Sequence, residues 1–291
     1  MKGDSIMKFG ISTYSYYQAL QSGEMDVIDV IAAIAEIGGE HVEIVPLGFN
    51  LTENPELIEA IRRKADEVGI DISNYLIGAN FAGKSEAEFE QEIERVMREV
   101  DIAAKLGVQL MRHDVASSPD TSIRNFYNEL PKLAEACRRI ADYAATKGIT
   151  TTVENHGYFL QASDRVQALL HATDRDNFRT TLDVGNFVCV DENPVVGVSN
   201  NIEYAAMVHI KDFYVRHPES ELGDGWFRST RGNYLRGAIV GQGDIDMRRV
   251  LGIVKESGYD GYISIEFEGL EPCRFGVQQG LNQLKKIWQS L

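Results

Sequence analysis

Short β-branched or aliphatic runs alternate with longer segments of helical spacing from one end of the chain to the other, and few folds accommodate that rhythm. Eight strands are predicted: Lys8 to Thr13, His41 to Val45, Asp71 to Ile77, Gln109 to Asp114, Thr150 to Asn155, Arg179 to Val184, Met207 to Asp212 and Tyr262 to Phe267. The segments between them carry helix punctuation. Asn54 before Pro55 sets a helix start, Ile58, Ile61, Ala65 and Val68 share one face, and Gly69 ends it. Ser85 and Glu88 fit a capping box ahead of an apolar stripe of Phe89, Ile93, Val96, Val100 and Ala104. The stretches EIGG, DEVGI, AKLGV, ATKGI and KESGY each close a helix with glycine just before a strand. Eight such units in 291 residues, with no Pro/Gly/Ser-rich linker, predict a single (β/α)8 barrel. A doubly wound sheet is the competing architecture, but no GxGxxG follows the first strand. The barrel is expected over residues 7–291 as one catalytic domain, with residues 1–6 as a leader or tag-like tail.

Composition excludes several function classes. Hydrophobic residues at 44% and charged residues at 25% are those of a soluble globular chain. No apolar run approaches the roughly 20 residues that cross a bilayer, and MKGDSIMKFG lacks the apolar core of a signal peptide, so no membrane partner and a cytoplasmic location are expected. Cys137, Cys189 and Cys273 are odd in number and widely spaced, which reads as reduced thiols. The formal charge of -15 lacks the Lys/Arg excess that binds phosphate backbones, so nucleic acid is not an expected partner.

In a (β/α)8 barrel the chemistry gathers at the carboxyl ends of the strands. Side chains alternate faces along a strand, so each of the last four can be sorted by parity. Thr152 and Glu154 share a face opposite Val153; Thr181 and Asp183 oppose Leu182 and Val184; Met207 and His209 oppose Val208 and Ile210; Ser264 and Glu266 oppose Ile263, Ile265 and Phe267. The apolar set belongs under the outer helices. Glu154, Asp183, His209 and Glu266 are therefore expected to point into the barrel near its top, from four consecutive barrel strands. Three carboxylates converging on one point repel one another unless a cation lies between them. Three oxygen ligands and one nitrogen suit a single divalent ion, Mn²⁺ first, with Mg²⁺, Co²⁺ or Zn²⁺ as alternatives.

At these residues the chain resembles the xylose-isomerase-like TIM-barrel superfamily of sugar isomerases and epimerases. The matching pieces are VENHG at 153 to 157, LDVGN at 182 to 186, VHIKDF at 208 to 213, VGQGDID at 240 to 246 and ISIEFEG at 263 to 269. The resemblance implies that Glu154, Asp183, His209 and Glu266 ligate one catalytic metal. The superfamily also contains inosose dehydratases, 3-dehydroshikimate dehydratases and endonuclease IV. The nuclease uses three zinc ions and a histidine three residues after the position of Asp183; Asn186 stands there instead. That departure, with the charge, speaks against DNA repair.

The chemistry implied is proton transfer on a small carbohydrate. An α-hydroxy ketone that chelates a metal has an acidified C–H, through a stabilised ene-diolate. Glu154 and Glu266, at the two ends of the ligand set, are the expected proton-transfer pair, with Asp183 and His209 as anchors. His113 and His156 are candidates to bind substrate hydroxyls, and Asn186 and Lys211 join them, Lys211 by the inward parity of His209. Asp212 is expected near the rim. Related enzymes often carry a substrate-binding arginine where Arg216 stands. The long interval before the last strand begins HPESELGDGWFRSTRGNYLRGAIVGQGD, without helical period, and reads as a structureless substrate cover bearing Trp226, Phe227, Arg228, Arg231, Tyr234 and Arg236. The leading reading is an isomerase or epimerase of a ketose or related carbohydrate. The alternatives are a dehydratase, in which the enolate expels a β-hydroxyl, and a barrel that only binds its ligand. Expected partners are a small carbohydrate and further copies of the chain, as a dimer or tetramer.

Overall fold

The computed structural model describes residues 7–291, so the expected tail at 1–6 lies outside the described residues. Its strands in chain order are β1 Phe9–Ser12, β2 His41–Ile44, β3 Asp71–Ile77, β4 Leu110–His113, β5 Thr150–Glu154, β6 Phe178–Asp183, β7 Ala205–Ile210, β8 Asp212–Arg216, β9 Phe227–Arg228, β10 Tyr234–Ala238 and β11 Tyr262–Ile265. Its helices are α1 Tyr17–Ser22, α2 Val27–Glu36, α3 Pro55–Val68, α4 Glu86–Leu106, α5 Ile123–Ala145, α6 Ser163–Thr173, α7 Pro194–Asn201, α8 Met247–Glu256 and α9 Cys273–Gln289. Eight of the strands close into one barrel in the order β1-β11-β7-β6-β5-β4-β3-β2, all neighbours parallel. This is a single (β/α)8 barrel.

The punctuation read from the sequence forms as predicted. The Asn54 side chain accepts from the Leu57 amide at 3.1 Å ahead of Pro55, and Ser85 and Glu88 make both bonds of the capping box. Val153, Leu182, Val208, Ile210, Ile263 and Ile265 are fully buried, while the opposite parity, Met207 apart, fills the barrel interior with polar groups. Thr152 and Thr181 share a 2.7 Å hydrogen bond there, and Glu43, Asn74, His209 and Ser264 are also wholly buried. Barrel interiors are usually packed with bulky branched residues. Polar groups buried in this number are costly unless paired, so the interior is built around them rather than merely filled by them.

The interval before the last barrel strand differs from expectation. It is not structureless: β8, β9 and β10 form a small antiparallel sheet in the order β8-β10-β9. β10 escapes a sequence reading because Gly237 interrupts five residues of weak alternation. Glycine is required there, since an added Cβ would lie 2.5 Å from the Glu268 carbonyl oxygen. The expected covering residues pack largely on one another: Arg228 lies 3.3 Å from the centre of the Tyr234 ring, and Arg236 lies 4.9 Å from both Tyr214 and Trp226. Asp212 does not sit at the rim. It is buried and accepts backbone N–H bonds from Phe213, Gly241 and Gly243 at 2.8 to 3.0 Å, pinning the return loop to the start of β8.

Candidate metal centre and adjoining cavity

β5, β6, β7 and the residue just beyond β11 bring Glu154, Asp183, His209 and Glu266 together, all buried, with one ligand atom of each inside a 4.8 Å sphere of mutual distance. The register explains the convergence: Asp183 pairs with His209 across β6 and β7, and Ser264, two residues before Glu266, pairs with His209. The backbone fixes Asp183 from one side. Its Oδ1 accepts from the amides of Gly185 and Asn186 at 2.8 and 2.9 Å, leaving Oδ2 buried without a hydrogen-bond partner. His209 Nδ1 is likewise buried and unpartnered, 3.8 Å from both Glu154 Oε1 and Glu266 Oε1. Two orphaned donor atoms facing two carboxylate oxygens fit a hard or borderline divalent cation.

Charges around the cluster are tightly paired. Arg112 donates Nε and Nη2 to Glu154 Oε2 at 2.7 and 2.5 Å. Burial alone would raise the Glu154 carboxyl, but the Arg112 charge and then His209 hold it well below the ordinary value. Asp183 shows the opposite balance: burial, with Glu154 and Glu266 adding repulsion, pushes it up to about 6 against the pull of Lys211. The Lys211 ammonium lies 2.7 Å from Glu266 Oε2 and 3.4 Å from both Asp183 Oδ2 and Glu268 Oε2. Burial opposes its charge, yet Glu266 and Glu268 keep its pKa well above the ordinary lysine value.

A cavity of about 360 Å³ opens beside the cluster, lined by Glu266, Lys211, Arg112, Asp114, His156 and Tyr14 on its polar side and by Val45, Pro46, Leu47, Leu76 and Ile77 on the other. A larger hollow of about 680 Å³ lies at the amino-terminal ends of the strands, around Ile70, Gln109 and Tyr262, remote from these groups. The clustered carboxylates and His209 adjoin the smaller one.

The structure sorts the remaining candidates. Asn186 is buried and bridges the site, donating Nδ2 to Glu154 Oε1 at 3.0 Å and accepting from Lys211 at 3.4 Å. His156 stands half exposed at the mouth with Nδ1 3.3 Å from Asp114 Oδ1; burial lowers its pKa, but Asp114 and Glu154 prevail and raise it. His113 is elsewhere: it points out of the barrel between Phe81 and Phe178, where burial lowers its pKa to about 4. Parity is the reason, because Arg112 pairs with the inward Thr152 and so takes the inward place on β4. Arg216 also lies away from the cavity. It is on the β8 flap, bonded to Asp244 at 2.6 Å, because the chain leaves the barrel at Lys211 and turns into an antiparallel strand. None of the six flap residues expected to cover substrate lines the cavity. The sequence reading missed Arg112, Glu43, Tyr14, Asp114 and Glu268; applying the parity rule to β2 and β4 as well as to the last four strands would have found the first two.

A family model described as xylose isomerase-like TIM barrel matches residues 31–287, and the chain belongs to that family. An inosose dehydratase of Geobacillus kaustophilus (strain HTA426) is 26% identical over 242 residues, 78% of this chain and 78% of the relative. Among solved structures, the IOLI protein with a bound zinc atom matches at a TM-score of 0.76 and 15% identity, covering 98% of this chain and 99% of that one. The 3-keto-D-glucoside 4-epimerase YcjR from E. coli matches at 0.73 and 16% identity, covering 96% and 99%. Among the described residues no helix is long and apolar enough to cross a membrane.

Proposed function

We propose that the chain is a divalent-metal-dependent dehydratase that removes water from an uncharged, polyol-derived ketone. The family and the inosose dehydratase relative support the coarser statement that it is an enzyme acting on sugars. The finer choice rests on the inequality of the two glutamates. Glu154 commits Oε2 to Arg112 and faces only a side hollow of about 120 Å³ that it shares with Asp114 and His156, whereas Glu266 lines the 360 Å³ cavity itself.

Glu154, Asp183, His209 and Glu266 would hold the cation through Glu154 Oε1, Asp183 Oδ2, His209 Nδ1 and Glu266 Oε1. When bound, it would polarise the ketone oxygen and acidify the adjacent C–H. Glu266 Oε2 takes that proton, with Lys211 holding the carboxylate in place. His156, kept protonated and oriented by Asp114, gives a proton to the hydroxyl on the next carbon. The C–O bond breaks, a double bond forms between the two carbons, and water leaves. Charge pairing supports this substrate class. Arg95 is held by Glu92 and Glu99, Arg112 by Glu154 and Asp114, Lys211 by Glu266 and Glu268, and His156 by Asp114. Every cation lining the cavity is already paired, which favours a neutral ligand over a phosphate or carboxylate.

Isomerisation or epimerisation is the second reading, favoured by the presence of both glutamates in the cluster. Incubation of a panel of inososes and ketoses with Mn²⁺ in D₂O separates the two. Dehydration gives a product lighter by one water, and Glu266→Gln lowers its rate by about 10²- to 10⁴-fold. A product of unchanged formula carrying deuterium at carbon establishes the second reading instead.

A further inference from the structure

Beneath the cluster the barrel contains a carboxylate that the proposed reaction does not use. Glu43, on β2, lies wholly buried across the barrel from β7, and its Oε2 meets His209 Nε2 at 3.0 Å. Asn74 on β3 donates Nδ2 to the same oxygen at 3.0 Å, so Oε2 is held from two sides. The other oxygen, Oε1, has no hydrogen-bond partner.

We propose that Glu43 is the positioning residue of the metal centre: it fixes the His209 ring with Nε2 protonated and Nδ1 bare toward Glu154 and Glu266, and its charge strengthens the hold on the cation. This rests on the reading that the cluster binds a divalent cation. Two observations carry it beyond that reading. The first is geometric. A neutral imidazole is a donor on one nitrogen and an acceptor on the other, and an ionised carboxylate can only accept. A carboxylate at Nε2 therefore decides which nitrogen is free, and the free one is the orphaned Nδ1. Carboxylate partners of this kind orient metal-ligating histidines and raise their basicity.

The second observation is electrostatic. A buried carboxylate stays ionised only with compensating charge. The ion-pair partner of Glu43 is His209, and with a cation on Nδ1 that ring is neutral. The charge that compensates the wholly buried Glu43 is then the cation itself, reached through the ring, so the Glu43 charge adds to the attraction for it.

The test is Glu43→Gln in the full chain, an isosteric change whose amide can accept from Nε2–H or donate to a bare Nε2. Calorimetric titration with Mn²⁺ is expected to show binding about 10- to 100-fold weaker than in the unaltered protein. Nitrogen NMR of the metal-free protein, read at a pH where the His209 ring is neutral, is expected to show one species protonated at Nε2 with Glu43 in place and a mixture of tautomers in the variant. Thermal unfolding shows whether the variant is folded; should it not be, Glu43→Asp, which keeps the charge but falls short of Nε2, replaces it, with the tautomer mixture again expected and Mn²⁺ binding weaker by about 10-fold, the lower end of the range. Unchanged Mn²⁺ affinity with an unchanged tautomer would overturn the proposal. His209→Ala separates the two claims. If it abolishes Mn²⁺ binding while Glu43→Gln does not weaken it, only the role of Glu43 falls. If His209→Ala binds as well as the unaltered protein, the metal centre itself is misplaced and the Glu43 proposal falls with it.

Discussion

Arg112 holds Glu154 from inside the barrel, its side chain 11% exposed and that of the glutamate 1%. Removing one member of such a pair leaves an uncompensated buried charge, which costs about 3–5 kcal/mol. Arg112→Met is expected to lose about that much in denaturant unfolding of the metal-free protein; a loss under about 1 kcal/mol would mean the pair is screened like a surface one. His156 governs a different measurement. Its pKa is raised, burial being outweighed by Asp114 and Glu154, so its acid form persists above the usual histidine range and is lost as pH rises through the folded value. Turnover should fall on that alkaline side, and His156→Gln should lower the rate and remove that limb of the pH profile. A limb that survives in the variant belongs to another group. Residue by residue, legibility followed parity. Glu154, Asp183, His209 and Glu266 alternate with aliphatic neighbours, so their direction could be read along one strand. The pairing of Glu43 with His209 depends on barrel closure bringing β2 across from β7, a distance of 166 residues in sequence that no local pattern encodes.

At the scale of elements, the βα rhythm was legible because each unit states its own limits: a cap, a stripe and a glycine. The flap was not, because its strands are short and its order comes from contacts with other loops. Asp191, just after β6, accepts from the Ser229 hydroxyl at 2.7 Å, the Thr230 hydroxyl at 2.9 Å, the Arg231 amide at 2.6 Å and the Asn233 side-chain amide at 2.7 Å. Four donors on one carboxylate hold the β9–β10 turn against the loop that also carries Asn186. Asp191→Ala should therefore loosen the turn without unfolding the barrel. Hydrogen exchange is expected to speed up at residues 229–233 and to stay unchanged in β5 to β7. Uniform acceleration across the barrel would show instead that Asp191 supports the whole fold.

For the whole molecule the decisive quantity is how charge in the candidate metal centre is balanced when no cation is present. Asp183 is pushed up to about 6, above its ordinary 3.8, by burial and by Glu154 and Glu266. The folded metal-free protein thus keeps a proton that the unfolded chain has already released, and its stability from this group falls as pH climbs from about 4 to about 6. His209 is raised well above its ordinary 6.5, burial being overcome by Glu43, so its stabilising contribution is present in acid and lost only as pH rises through that higher value. Glu154, held low, acts in the other direction: its contribution is present above the usual 4.5 and disappears on acidification through its folded value. A cation bound by Asp183 Oδ2 and His209 Nδ1 must displace the protons of both. Its affinity therefore increases with pH, and so does the stability it confers by mass action. The rise in unfolding temperature on adding a fixed excess of Mn²⁺ should be small at about pH 5 and clearly larger at about pH 7.5, where Asp183 is ionised and the His209 proton is easier to displace. An equal rise at both values, or a larger one in acid, would mean that the cation binds through groups other than these two.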